Sequence, residues 1–229
     1  MKKFARLSFA GLSALFTFYS NNASAQFEID QLSLGASLGY TTHGQNVGGS
    51  LAMNVRTHYE IDESYSSVIS FTYQMPTIQE YELTANALSN ATTPRQMDAK
   101  VEQSISFYSV NLDFHRYFVR DIEDDFGIYG LAGAGLAFAN RTLVFSGYDK
   151  TLYTAGPLEN ASQESFSGFM INLGIGSNIN FSDKLAFFGE VRCGLPAGNK
   201  YNSQGNDEIT NPLPFNFGLQ AGVRFNLFD

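Results

Sequence analysis

From residue 215 to residue 227 every second position is apolar. Phe215, Phe217, Leu219, Ala221, Val223, Phe225 and Leu227 alternate with Asn216, Gly218, Gln220, Gly222, Arg224 and Asn226. Successive side chains of a β-strand point to opposite faces, so this segment is a strand with one apolar face and one face of polar residues and glycine. A helix would place apolar residues three and four apart, and here those spacings fall on Asn and Gly. The same split recurs in Phe169, Ile171, Leu173, Ile175, Ile179 and Phe181, set against Asn172, Gly174, Gly176, Asn178 and Asn180. The pattern predicts strands near 31–40, 50–60, 65–75, 104–118, 126–139, 168–181, 185–194 and 214–228. These lengths match or exceed the roughly 9–11 residues that a tilted strand needs to cross a bilayer.

The connections alternate in length. Residues 61–64, 119–125 and 182–184 are tight and charged, whereas 76–103, 140–167 and 195–213 are long and rich in Ser, Thr, Asn and Gln, with 41–49 a shorter member of the long set. Outer-membrane barrels have short periplasmic turns and longer outside loops, and an even strand number with both termini inside puts every long connection outside. A soluble sandwich would bury its apolar faces against each other. Here nearly every strand carries the same apolar band, backed by small and polar residues, which is the inversion expected of a barrel in lipid. The expected fold class is therefore all-β, an eight-stranded antiparallel up-and-down transmembrane β-barrel. The competing reading, a soluble periplasmic barrel around a small apolar ligand, would need the apolar faces to point inward.

The amino terminus sets the compartment. Lys2, Lys3 and Arg6 precede an apolar run from Leu7 to Tyr19, and Ala23 and Ala25 supply the small-x-small pattern of a signal-peptidase site. The run is too short for a membrane-spanning helix, so residues 1–25 read as a cleaved signal peptide and 26–229 as one barrel domain. The formal charge of the whole chain is −8, and losing the three cations of the leader makes the remainder more acidic. That balance argues against nucleic acid as a partner. A single cysteine, Cys193, allows no internal disulfide. The 21 Phe and 12 Tyr suit a surface facing lipid and its interfaces, and with no Trp the tyrosines must form the aromatic girdles.

On these strands the sequence resembles the small outer-membrane β-barrel proteins, the OmpA-barrel and OmpX-like group of porin-family domains, over about residues 27–229. The most specific piece is the last strand, where Gln220, Gly222, Phe225 and Leu227 follow the spacing polar-x-Gly-x-x-aromatic-x-hydrophobic. In that family this pattern is similar to the signal read by the barrel-assembly machinery. The resemblance implies insertion in the outer membrane, with its lipid and lipopolysaccharide as surroundings.

Chemistry, if any, would sit inside the barrel or on its loops. Alternation sends Arg56 and His58, Asn111, Asp113 and His115, Tyr129, Glu190 and Arg192, and Gln220 and Arg224 to the lumen. Glu190 is expected to meet Arg224 on the neighbouring strand, with Ser33, Gly35, Ser37 and Gly39 leaving room for arginine. An eight-stranded barrel is just wide enough to be filled by side chains, so Arg56, His58, Asp113, His115, Glu190, Arg192 and Arg224 are expected to form a paired polar plug. No catalytic residue, cofactor or metal site is expected. His43 is placed in a loop, the Gly130–Gly135 run lacks the strand-to-helix setting of a nucleotide loop, and Asn206-Asp207-Glu208 lacks EF-hand spacing. The expected function is non-enzymatic: membrane integrity, surface contact or adhesion through loops 76–103 and 140–167, or weak solute passage. A lipid-modifying barrel enzyme is the alternative.

Overall fold

A computed structural model describes residues 32–44, 48–121, 126–197 and 215–227. The expected leader, the 198–214 stretch with Asn206-Asp207-Glu208, and the 122–125 turn lie outside the described residues. Among those described, the chain forms nine strands: β1 (Leu32–His43), β2 (Gly48–Glu60), β3 (Tyr65–Ala87), β4 (Gln96–Asp121), β5 (Phe126–Ser146), β6 (Tyr153–Thr154), β7 (Gln163–Ser182), β8 (Leu185–Ala197) and β9 (Asn216–Asn226). All but the two-residue β6 pair antiparallel with their chain neighbours, and β1 also pairs with β9, Gly35 opposite Arg224 and Tyr40 opposite Leu219. The sheet thus closes into an eight-stranded up-and-down barrel. No described helix is long and apolar enough to cross a membrane; the strands do so.

The apolar faces point outward. Leu38, Leu51, Val55, Ile69, Phe71, Val110, Ile171, Ile175, Leu219 and Phe225 are all exposed. This excludes the soluble, ligand-binding barrel. At the end that carries the short turns the band stops at Tyr59, Tyr65 and Phe118, and at the other end at Tyr40, Tyr73, Tyr108 and Phe138, the last two stacked 5.0 Å apart. Cys193 lies on this outer face, opposite Leu173 on β7 and Phe217 on β9.

The wall is uneven. β1, β2, β8 and β9 are of membrane length, but β3, β4, β5 and β7 continue well beyond the outer girdle. Residues 76–103 and 140–167, expected as loops, are therefore largely strand. What remains irregular is the 88–95 tip and the 147–162 connection, which carries β6 and a 3-10 helix, Gly156–Ala161. A β-bulge in β3 marks where the extension begins. Gln74 pairs with Phe107 but Thr77 pairs with Ile105, so β3 holds one extra residue at Met75-Pro76. A bulge shifts the period-two phase by one. Below it the even-numbered residues of β3 face inward; above it Thr77, Gln79, Tyr81, Leu83 and Ala85 do.

Above the bulge the polarity rule also reverses. Ala99, Val101, Leu143 and Phe145 point inward and are buried, while Glu80, Glu82, Lys100, Glu102 and Val144 point outward. The same strands are apolar-out in the bilayer and apolar-in above it, as each solvent requires. The 147–162 connection covers the inner face of this wall. Tyr153 packs against Ala85 and Ala99, donates to the Pro94 carbonyl oxygen at 2.9 Å, and with Thr154 pairs with β3 at Ala87 and Asn86. The extension is thus a small water-side core built on a membrane barrel.

Candidate functional site

Glu190, on β8, is buried at the centre of the lumen. It accepts a bidentate pair from Arg56 at 2.5 and 3.1 Å and a hydrogen bond from the Tyr129 hydroxyl at 2.8 Å. Gln220 also donates to it. Arg56 is held from two further sides. It donates to Asn54 Oδ1 at 3.0 Å, and its guanidinium lies 4.1 Å from the Phe188 ring centroid. The expected Glu190–Arg224 pair is not formed, because Arg56 reaches Glu190 across the lumen. Gly35 makes that reach possible: a Cβ there would stand 3.0 Å from Arg56 Cγ.

A second centre forms around Asp113. Arg192 pairs with it, and Asn172 donates to its Oδ1 at 3.1 Å and to Asn111 Oδ1 at 3.0 Å. Glycines opposite these side chains leave the space they occupy. A Cβ on Gly133 would meet Asp113 Oδ1 at 2.3 Å, and one on Gly176 would meet the Tyr129 ring at 2.6 Å. Gly133 and Gly135 serve close approach inside a narrow barrel, next to Asp113 and Asn111, while Gly130 lies on the outer wall under the Phe118 ring.

The third layer lies toward the end with the short turns. Arg224 approaches His58 Nδ1 at 3.3 Å and Glu60 at 3.6 Å, and Glu60 also takes Arg120 at 2.9 Å. His115 stacks on Tyr129 at 4.5 Å, and the His58 and His115 rings stand 5.8 Å apart although their strands are not neighbours. Ser66 lies directly across from His115 in register, but both are sealed, with Ser66 at 0% exposure, so this pair is not open to a substrate. Among the described residues no group of three or more His, Cys, Asp or Glu is placed to hold a metal.

Above the charged layers is a cavity of about 80 Å³, lined by Thr41, Thr72, Ser109, Asn172 and Arg192 among others. His43 helps to roof it. It is the last residue of β1 rather than part of a loop, bonds Gln74 at 2.6 Å, and stacks on Phe107 at 4.2 Å. Ile105, Phe107, Ala137, Ala139 and Met170 complete an apolar layer there. The lumen is therefore blocked twice, by ion pairs below and by apolar packing above. In planar bilayers the purified protein is expected to give no stable conductance steps; regular steps would show that the two layers open.

Sequence reasoning places the seven charged or imidazole residues on the lumen wall but misses Phe188, Glu60 and the roof. Phe188 sits out of phase with the apolar residues of β8, and that misfit is its signal. In β9, Gln220 faces the lumen, Gly222 lies beneath the Phe188 ring, and Phe225 and Leu227 are exposed on the outer face.

No family model matches the sequence, and no curated protein matches it. Solved structures do. Neisserial surface protein A (NspA) aligns over 86% of this chain and 97% of its own, with a TM-score of 0.51 and 12% identity. A major outer membrane protein from Thermus thermophilus aligns over 85% and 98%, with a TM-score of 0.52 and 9% identity. At such low identity the shared property is the architecture. The chain has the eight-stranded barrel fold of the small outer-membrane proteins.

Proposed function

We propose that this chain is an exported, non-enzymatic outer-membrane protein whose closed barrel serves as an anchor and whose β3–β4–β5–β7 wall is a surface-contact element. The observation that carries the reading is the reversal of polarity along those four strands. A segment that turns its apolar residues inward and its charges outward is solvated by water, so the wall stands clear of the bilayer on the side opposite the short turns. There it offers a rigid, acidic face, with Glu80 directly opposite Glu102. Like charges opposite each other weaken a sheet, so this exposed face suits contact with a cation or cationic partner rather than stability. Among the described residues the Gln163–Gly168 end of β7 pairs with β5 and has no partner on β8. The fold likeness to a protein named as a surface protein and to another named as an outer-membrane protein supports this reading.

The test is sidedness. With Cys193 changed to Ser, a Thr92→Cys variant at the 88–95 tip is expected to react with a membrane-impermeant maleimide on intact cells. Labelling only after the outer membrane is permeabilised would invert the topology and remove the surface-contact role.

A further inference from the structure

The outer wall of the barrel between its two aromatic girdles is apolar, glycine or hydroxyl at every described position except one. That position is Arg116 on β4, exposed between Phe114 and Phe118 on the same face. Its cross-strand neighbours on that face are Tyr65 on β3 and Gly130 on β5. The guanidinium carbon lies 5.9 Å from the Tyr65 ring centroid. Among the described residues no carboxylate pairs with it, unlike Arg120, which is engaged by Glu60. Tyr65 opens β3 just after the 61–64 turn, so Arg116 stands at the periplasmic edge of the apolar band.

A permanent cation on a lipid-facing wall is costly in hydrocarbon and tolerated near the interface, where it can reach a headgroup. Arginine presents planar, paired N–H donors that match two oxygens of a phosphodiester. On the β5 side the Phe118 ring lies over Gly130, 3.0 Å from where a Cβ would stand, and this ring and Tyr65 offer surface to the glycerol and upper acyl chain. Periplasmic-leaflet depth selects the lipid source over lipopolysaccharide, which would approach from the opposite end. We infer that Arg116, with Tyr65 and Phe118, forms a binding site for the phosphate of a glycerophospholipid in the periplasmic leaflet, and that it favours headgroups with no cation of their own. This rests on the outer-membrane reading above.

The experiment is native mass spectrometry of the full mature chain released from detergent micelles holding equal phosphatidylglycerol and phosphatidylcholine. The wild-type protein is expected to retain one phosphatidylglycerol about fivefold more often than one phosphatidylcholine, the factor that one interfacial cation supplies. Arg116→Gln should bring the two lipids to parity, Arg116→Lys should keep part of the preference, and Arg120→Gln should leave it unchanged. Equal retention by the wild type, or a preference that survives Arg116→Gln, overturns the site. Boiled against unboiled mobility in SDS is read on every sample. A wild-type chain that shows no heat-dependent shift overturns the barrel reading and the site with it; a shifted chain without lipid preference overturns the site alone.

Discussion

Glu190→Ala is expected to be the most damaging single change in the lumen, lowering stability by about 3–5 kcal/mol. The loss is large because Glu190 is a shared acceptor. Its removal strands the Arg56 guanidinium, the Tyr129 hydroxyl and the Gln220 amide in a site where Glu190 itself is only 2% exposed. A buried charge left unpaired costs more than the pair contributed, because the desolvation of the remaining ion is no longer offset. Glu190→Gln keeps acceptor oxygen but loses the charge, and should fall between the two. Replacing both partners, Glu190→Leu with Arg56→Met, should recover part of the loss by removing the stranded cation, although Tyr129 and Gln220 remain unanswered. The measurement is the temperature at which the compact form disappears from unboiled SDS gels. Equal transition temperatures for wild type and Glu190→Ala would show that Arg56 is neutralised by some other group.

The barrel is legible in the sequence because a closed sheet in lipid leaves a strict record. Each of the eight strand segments is present, and the residues assigned inward on β2, β4, β5, β8 and β9 do face the lumen. Alternation fixes the face on which a residue lies but not its reach across the interior. That is why spacing alone matches Glu190 to Arg224, one strand away, when Arg56 comes to it from the far wall. The step depends on side-chain length, on Gly35 making room, and on Phe188 as a platform, none of which period-two spacing encodes. The outer ends escape for a different reason. At Met75-Pro76 the bulge shifts the phase of β3, and above it the apolar face changes sides. In β4 and β5 the apolar positions are even-numbered within the band and odd-numbered above it, so those runs have no consistent period and read as polar loop. His43 escapes in the same way: it faces inward like Thr41, but a terminal polar residue before a glycine reads as a turn.

The change of solvent along a single strand can be tested by placing the same charge on the same face at two heights of β5. Ala134 and Val144 both point outward. Ala134 lies opposite Leu112 and Ile171 within the apolar band, whereas Val144 lies opposite Glu102 above it. Ala134→Arg is expected to cost about 2–4 kcal/mol, the value for arginine on a lipid face near mid-membrane, and to lower the yield of heat-modifiable barrel sharply. Val144→Arg should change stability by no more than about 0.5 kcal/mol, as an exposed surface substitution does, and its proximity to Glu102 should make any change favourable. Leu143→Arg, one residue away and only 3% exposed, puts the same charge into the water-side core. It should leave the barrel heat-modifiable while opening the 88–95 tip and the 147–162 connection to protease. This pattern follows only if the inward face is polar below the bulge and apolar above it. Equal damage from Ala134→Arg and Val144→Arg would place both residues in lipid, and the wall would then be a longer membrane segment rather than an element standing in water.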